Sequence, residues 1–406
     1  MKYSRALVWS LIAAAFIGPG TVTTAAKAGS QGGWYYAAYV FLAAVAGFLL
    51  MEMVARITLV SGQSLGQVLG TRGRWLAIAC FGAVLLGCMA YQAGNLLGAL
   101  SGIQLLVPAH RLWVLLLGGA AFAVLWTGDT KIIARALSAI VVLMGLIFVV
   151  SAILLLFGDA PLTGNESVLP ATIIGLVGTT IVPYNFFLAA GLSKGQSLRE
   201  MRFGLAGSFL VGGIITLSIV LVGSVATSFT SFADLARTLD ANLGSMSKVV
   251  LGFGLFAAGF SSAVTAPLAA ALAGRELLGR TDSDLASTSF WFRIIWGGVL
   301  AVGLLVACLE LDIISVIIAA QVANGLLLPF IAAIVLVLAN DRSLLGDRIN
   351  SQGQNMAGLL VAGFLAYKNF DLLLRKILSE ADAGFWSEWF ILAYLGLLVW
   401  FMYKRR

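Results

Sequence analysis

Apolar residues in this chain come in long blocks, most of them long enough to cross a hydrocarbon core, with short polar links between them. That pattern leaves few folds open. Inside a bilayer each backbone N–H and C=O needs a partner within the protein, and a helix supplies those partners from its own segment. The blocks therefore predict an all-α polytopic membrane protein. Composition agrees: 60% of the 406 residues are hydrophobic and 11% are charged, at a mean hydropathy of +1.00. A soluble domain carries roughly a quarter charged residues.

The net charge of +7 does not form a polyanion-binding patch, because the basic residues are scattered one or two per link. They are topology signals instead, and no nucleic-acid partner is expected. Cys80, Cys88 and Cys308 lie inside apolar blocks without CxxC spacing, as small buried hydrophobes do. The lone His110 sits in a link after Pro108, at the membrane interface. No Ser-His-Asp set, P-loop or zinc spacing is present, so a hydrolase or an ATP-driven pump has no footing. Neither an enzyme nor a cofactor is expected.

Twelve spans are predicted, at 5–29, 34–60, 75–101, 112–127, 133–158, 169–193, 203–229, 247–274, 287–309, 312–339, 355–378 and 387–403. An even number puts both termini on one side. If that side is the cytoplasm, it holds eighteen of the 25 Lys and Arg, as the positive-inside rule requires. Lys2, Arg5, the apolar run Ala6–Ile17 and the small residues at Ala26-Lys27-Ala28 also resemble a signal peptide with its cleavage site. Removing span 1 would leave an odd number and spoil the charge bias. The expectation is a plasma-membrane protein with no cleaved signal peptide.

Proline is scarce, seven in all, and two of them interrupt spans 1 and 6: Gly18-Pro19-Gly20-Thr21 and Val182-Pro183-Tyr184-Asn185. Pro267 and Pro329 read as simple kinks. Breaks at spans 1 and 6 correspond if the chain is two five-span units of inverted topology followed by two extra helices. The units are 1–158, 159–340 and 341–406. A broken helix frees backbone groups that lipid cannot satisfy, so each gap faces protein, water or substrate. The half-helix starting near Thr21 aims its positive end at the gap, and the preceding half offers carbonyls around Phe16 and Ile17.

These residues resemble the Nramp divalent-metal transporters. Gly18-Pro19-Gly20-Thr21 is similar to that family's first-helix Asp-Pro-Gly-Asn, and Val182-Pro183-Tyr184-Asn185 to its sixth-helix Met-Pro-His-Asn. Gly259-Phe260-Ser261-Ser262-Ala263-Val264-Thr265 resembles its GQSSTVT, and Gln321-Val322 with Pro329-Phe330 fits its tenth helix. The resemblance spans roughly residues 5–370 and implies the inverted-repeat fold of LeuT-type transporters, working by alternating access.

The departures fall at the site. The family's metal-binding Asp, Asn and Met become Gly18, Thr21 and Val182, and its third-helix acids become Gln92 and Asn95. Its two sixth-helix His residues become Tyr184 and Ala189, while Gln321 is kept. A roomy, uncharged cavity is expected, lined by Gly18, Gly20, Thr21, Gly178, Thr179, Val182, Tyr184, Asn185 and Gln321. Lys27, Gln92, Asn95, Ser261 and Thr265 are candidates for gating or coupling, and no confident metal ligand remains. Glu52 and Arg56 form a local i,i+4 pair facing the cytoplasm. The favoured cargo is a small neutral or zwitterionic, amino-acid-like solute. The alternatives are a divalent cation with altered ligation and, in another class, a non-transporting membrane sensor. A channel lacks the polar stripe it would need. The coupling ion is open, with proton coupling through the family's acids doubtful, and a monomer in the lipid bilayer is expected.

Overall fold

The computed structural model describes residues 17–127, 131–157, 169–193, 195–226, 229–243, 246–278 and 289–405. The first half of span 1, with the Phe16 carbonyl, lies outside the described residues. Among the described residues all regular structure is helical.

Span 1 continues as Pro19–Gly32, turns through Gly33–Tyr35, and leads into span 2 at Tyr36–Ser61. Gly33 makes that turn at φ 57, a conformation open to glycine without a steric cost. Spans 3, 4 and 5 are Arg74–Leu106, Trp113–Thr127 and Lys131–Leu156. Span 6 is two helices, Pro170–Thr180 and Pro183–Ser193. Spans 7 to 12 are Leu198–Val225, Met246–Leu278, Phe290–Cys308, Ile313–Ala339, Gln352–Leu374 and Glu380–Arg405. Each of the twelve expected spans thus has its helix. Among the described residues ten helical stretches are long and apolar enough to cross a membrane; Pro19–Ser61 holds the end of span 1 and all of span 2, and Trp113–Thr127 is apolar but shorter.

Many of the helix contacts fall into matching pairs. Spans 1 and 6, 2 and 7, and 3 and 8 pair with each other. Span 3 also packs on spans 9 and 10, and span 8, five places on, packs on spans 4 and 5. Span 7 lies against span 1 as span 2 lies against span 6. These contacts recur under a shift of five, the relation that a five-plus-five repeat requires. Small residues let the backbones meet. A Cβ at Gly102 would lie 2.4 Å from the Gly252 carbonyl oxygen, and one at Gly29 would lie 2.1 Å from that of Val220. Span 6 runs through the middle of the bundle, with 83% of its apolar window buried, against 17% for span 12 at the edge.

Pro267 and Pro329 lie inside the helices of spans 8 and 10, as expected. Each lacks an N–H, which orphans the carbonyl four residues earlier. Both orphans are capped by amides from other spans. Gln92 Nε2 donates to the Ala263 carbonyl at 2.9 Å, and Asn369 Nδ2 donates to that of Gly325 at 3.1 Å.

The pair Glu52–Arg56 exists but is not a local, solvent-facing one. Both residues are buried, and Arg202 at the head of span 7 also binds Glu52, at 2.8 Å. Arg56 reaches beyond its own helix to the Arg348 carbonyl at 2.6 Å and to the Asn350 side chain.

Candidate functional site

The two breaks follow from proline chemistry. Gly18 is extended (φ −103, ψ 173) and Pro19 opens the helix at its first position, where a missing N–H costs nothing. In span 6 the helix ends at Thr180, Ile181 leaves helical geometry (φ −117, ψ 83), and Pro183 starts the second half. Val182 lies in the gap. Its carbonyl accepts from the Asn185 N–H at 3.0 Å, which closes the first turn of the new helix. The gap therefore carries a helix N-terminus from span 1 and a helix C-terminus from span 6, positive and negative dipole ends respectively.

A hydrogen bond ties the two broken helices together: Thr21 Oγ1 and Thr179 Oγ1 are 2.8 Å apart, and both residues are buried. Gln321 in span 10 covers them. A Cβ at Gly20 would lie 2.0 Å from Gln321 Nε2, and one at Gly178 would lie 2.1 Å from the Gln321 backbone oxygen. Gly18 faces span 3, where its Cβ would lie 3.1 Å from Tyr91 Oη, and span 8, at 3.8 Å from Ser262 Oγ. The Tyr91 ring meets Tyr184 edge-on at 6.3 Å. The three glycines that suggested a roomy cavity are thus contact points. Their missing side chains admit a phenol, an amide and a helix backbone.

The break is polar but carries no carboxylate among the described residues. Buried without a partner there are Gln321 Oε1, both side-chain polar atoms of Asn185 and both of Asn324. Among the described residues no group of three or more His, Cys, Asp or Glu is placed to hold a metal ion.

The other expected residues are spread more widely. Gln92 is committed through its Nε2 to the Ala263 carbonyl, and its stem fills the space over Gly303. Asn95 is buried, with Nδ2 unpartnered. Ser261 is half-buried and Thr265 is exposed. Lys27 lies away from the gap, donating to the Phe229 carbonyl at 3.2 Å.

Ser262, with Ser261 and Thr265, is an oxygen donor that the sequence offers for ion coupling; Tyr91 and Asn324 were missed as site residues. Both carried a usable signal. Tyr91 is a phenol at mid-span, away from the interface where membrane tyrosines concentrate. Asn324 follows Gln321 by three residues, on the same helix face.

A helical bundle with two spans broken beside each other, and polar atoms gathered at the breaks, has the architecture of a membrane transporter. Residues 10–375 match the family Natural resistance-associated macrophage protein-like, and the chain belongs to this Nramp family. It is 26% identical over 420 residues to the divalent metal cation transporter MntH 1 of Pseudomonas aeruginosa, with 89% of each chain covered. It is 24% identical to the MntH of Klebsiella pneumoniae, covering 90% of this chain and 92% of that one. In structure it resembles the Eremococcus coleocola manganese transporter, at a TM-score of 0.73 and 16% identity, with 99% of this chain and 94% of that one covered. The chain is an integral membrane transporter and not an enzyme. The expected organic cargo finds no support among these relatives; the divalent-cation alternative does.

Proposed function

We propose that the protein carries a hard divalent cation by alternating access, holding the ion with part of its water shell on neutral oxygens at the breaks of spans 1 and 6. The observation behind this reading is the oxygen set itself. The Thr21 and Thr179 hydroxyls, the unpartnered Gln321 Oε1 and the carbonyl end of Pro170–Thr180 lie at the breaks of spans 1 and 6. Neutral hard oxygens suit Mg²⁺ or Mn²⁺, and without a thioether at Val182 nothing favours a softer metal. A carboxylate near a divalent ion supplies about 8 kcal/mol of attraction at an effective dielectric of 20. Gly18 supplies none. Binding is accordingly weak, and the cation keeps waters rather than shedding them.

In this reading residues 1–158 and 159–340 are the inverted repeats and 341–406 the two added spans. Both termini are cytoplasmic, as the basic-residue bias favours, in a monomer of the plasma membrane. With amides at Gln92 and Asn95, transport needs no proton gradient.

The test is divalent-cation uptake into proteoliposomes beside an authentic Nramp control. Mg²⁺ and Mn²⁺ uptake should appear only at concentrations well above those that saturate the control, and should not change when a pH gradient is imposed. No divalent uptake at any concentration by folded protein, with entry of an amino-acid-like solute, would overturn the cation reading.

A further inference from the structure

The glycine at the start of the span 1 helix and a tyrosine on span 3 are complementary in space. Gly18 has no side chain to cap its own helix, and the nearest atom to where its Cβ would stand is Tyr91 Oη, at 3.1 Å. That is closer than a Cβ ordinarily approaches a neighbour. A side chain at position 18 needs the phenol to give by a few tenths of an ångström. Tyr91 is 2% exposed, its ring is held edge-on by Tyr184, and its hydroxyl neighbours the Gln321 side chain. Gln321 in turn occupies the space left by Gly20 and keeps an unpartnered oxygen. Spans 3 and 10 therefore each send one neutral oxygen-bearing side chain into the space of a span 1 glycine.

We infer that Tyr91 is the substrate-facing residue of span 3, and that Gly18 and Tyr91 form a matched pair that makes the site neutral and selects a weakly held, hydrated cation. The inference rests on the cation reading for its cargo, but the pairing itself can be tested without it. The phenol contributes a hard oxygen at the positive end of the helix. It also stands in the volume that a charged ligand at position 18 would need.

The experiment measures Mn²⁺ binding by calorimetry on the full chain in nanodiscs, for wild type, Gly18→Asp, and Gly18→Asp with Tyr91→Phe. Phenylalanine keeps the ring against Tyr184 and removes only the atom in contact. The double variant should bind Mn²⁺ at least tenfold more tightly than Gly18→Asp alone, by roughly one decade of Kd or more. Tyr91→Phe alone should raise the KM for Mg²⁺ uptake severalfold. Equal Mn²⁺ affinity with and without the phenol, or an unchanged KM in Tyr91→Phe, would overturn the pairing. If wild type carries no divalent cation while the double variant still gains Mn²⁺ affinity, the cation reading falls and the pairing stands. Should Gly18→Asp not fold, thermal midpoints of Gly18→Ala decide. The drop should be smaller in the Tyr91→Phe background, and equal drops would overturn the inference.

Discussion

Gly20 and Gly178 both press against Gln321, but they would strike different parts of it. A methyl at position 20 meets the end of the amide, which can swing aside at the cost of its placement in the site. A methyl at position 178 meets the backbone of span 10, within 2.1 Å of the Gln321 oxygen and 2.7 Å of the Gly325 nitrogen. Backbone cannot rotate away. Overpacking costs typically about 1–3 kcal/mol, while glycine to alanine in a helix returns up to about 1 kcal/mol. Gly20→Ala should therefore leave the thermal midpoint nearly unchanged and lower uptake. Gly178→Ala should lower the midpoint by several degrees. Unfolding curves in detergent, paired with uptake assays, check both, and a reversed order would mean that Gln321 is not fixed as described. Sequence alone pointed to these glycines but misjudged their purpose. A missing side chain looks the same whether it leaves a void or admits a neighbour, and the neighbour here, Gln321, is far from both glycines in sequence.

At the scale of the element, the spans and their breaks were legible because they depend on local chemistry. Hydropathy sets a span's extent, and proline removes a donor wherever it occurs. What repairs the defect was not legible. The amide that caps the Pro267 kink is 171 residues from its acceptor, and the one that caps the Pro329 kink is 44 away. Gln92 accordingly drew attention as a neutralised family acid, although its Nε2 is occupied by the Ala263 carbonyl. The capping predicts a specific non-additivity. Asn369→Leu leaves the Gly325 carbonyl buried and unpaired, which costs about 1–3 kcal/mol. Pro329→Ala restores a backbone N–H that can reach the same carbonyl. In that background Asn369→Leu should cost much less. A double-mutant cycle on thermal stability checks this, and strict additivity would show that the bond contributes nothing.

At the scale of the whole molecule, one end of the bundle is gathered around two buried acids. Glu52 holds Arg56 and Arg202, joining spans 2 and 7. Asp341, after span 10, holds Arg72 at 2.8 Å and Arg405 at 3.5 Å, drawing in the link before span 3 and the end of span 12. Burial separates the two arginines on Glu52. The Arg56 side chain is 3% exposed and reaches Arg348 and Asn350 as well; that of Arg202 is 49% exposed and serves Glu52 from the rim. Removing one member of a buried pair costs about 3–5 kcal/mol, because the partner is left charged and unmatched. An exposed contact is worth roughly 0–1 kcal/mol. Arg56→Gln should therefore be severely destabilising, and Arg202→Gln nearly neutral in thermal unfolding. Under the alternating-access reading proposed above, the half-exposed Arg202–Glu52 contact is the one a transport cycle can break and remake at least cost. Arg202→Gln should then change the maximal uptake rate and leave KM alone, since Arg202 has no described contact at the breaks. A shift in KM instead would mean that this end is coupled to the site while cargo binds, and that the cluster is more than a latch.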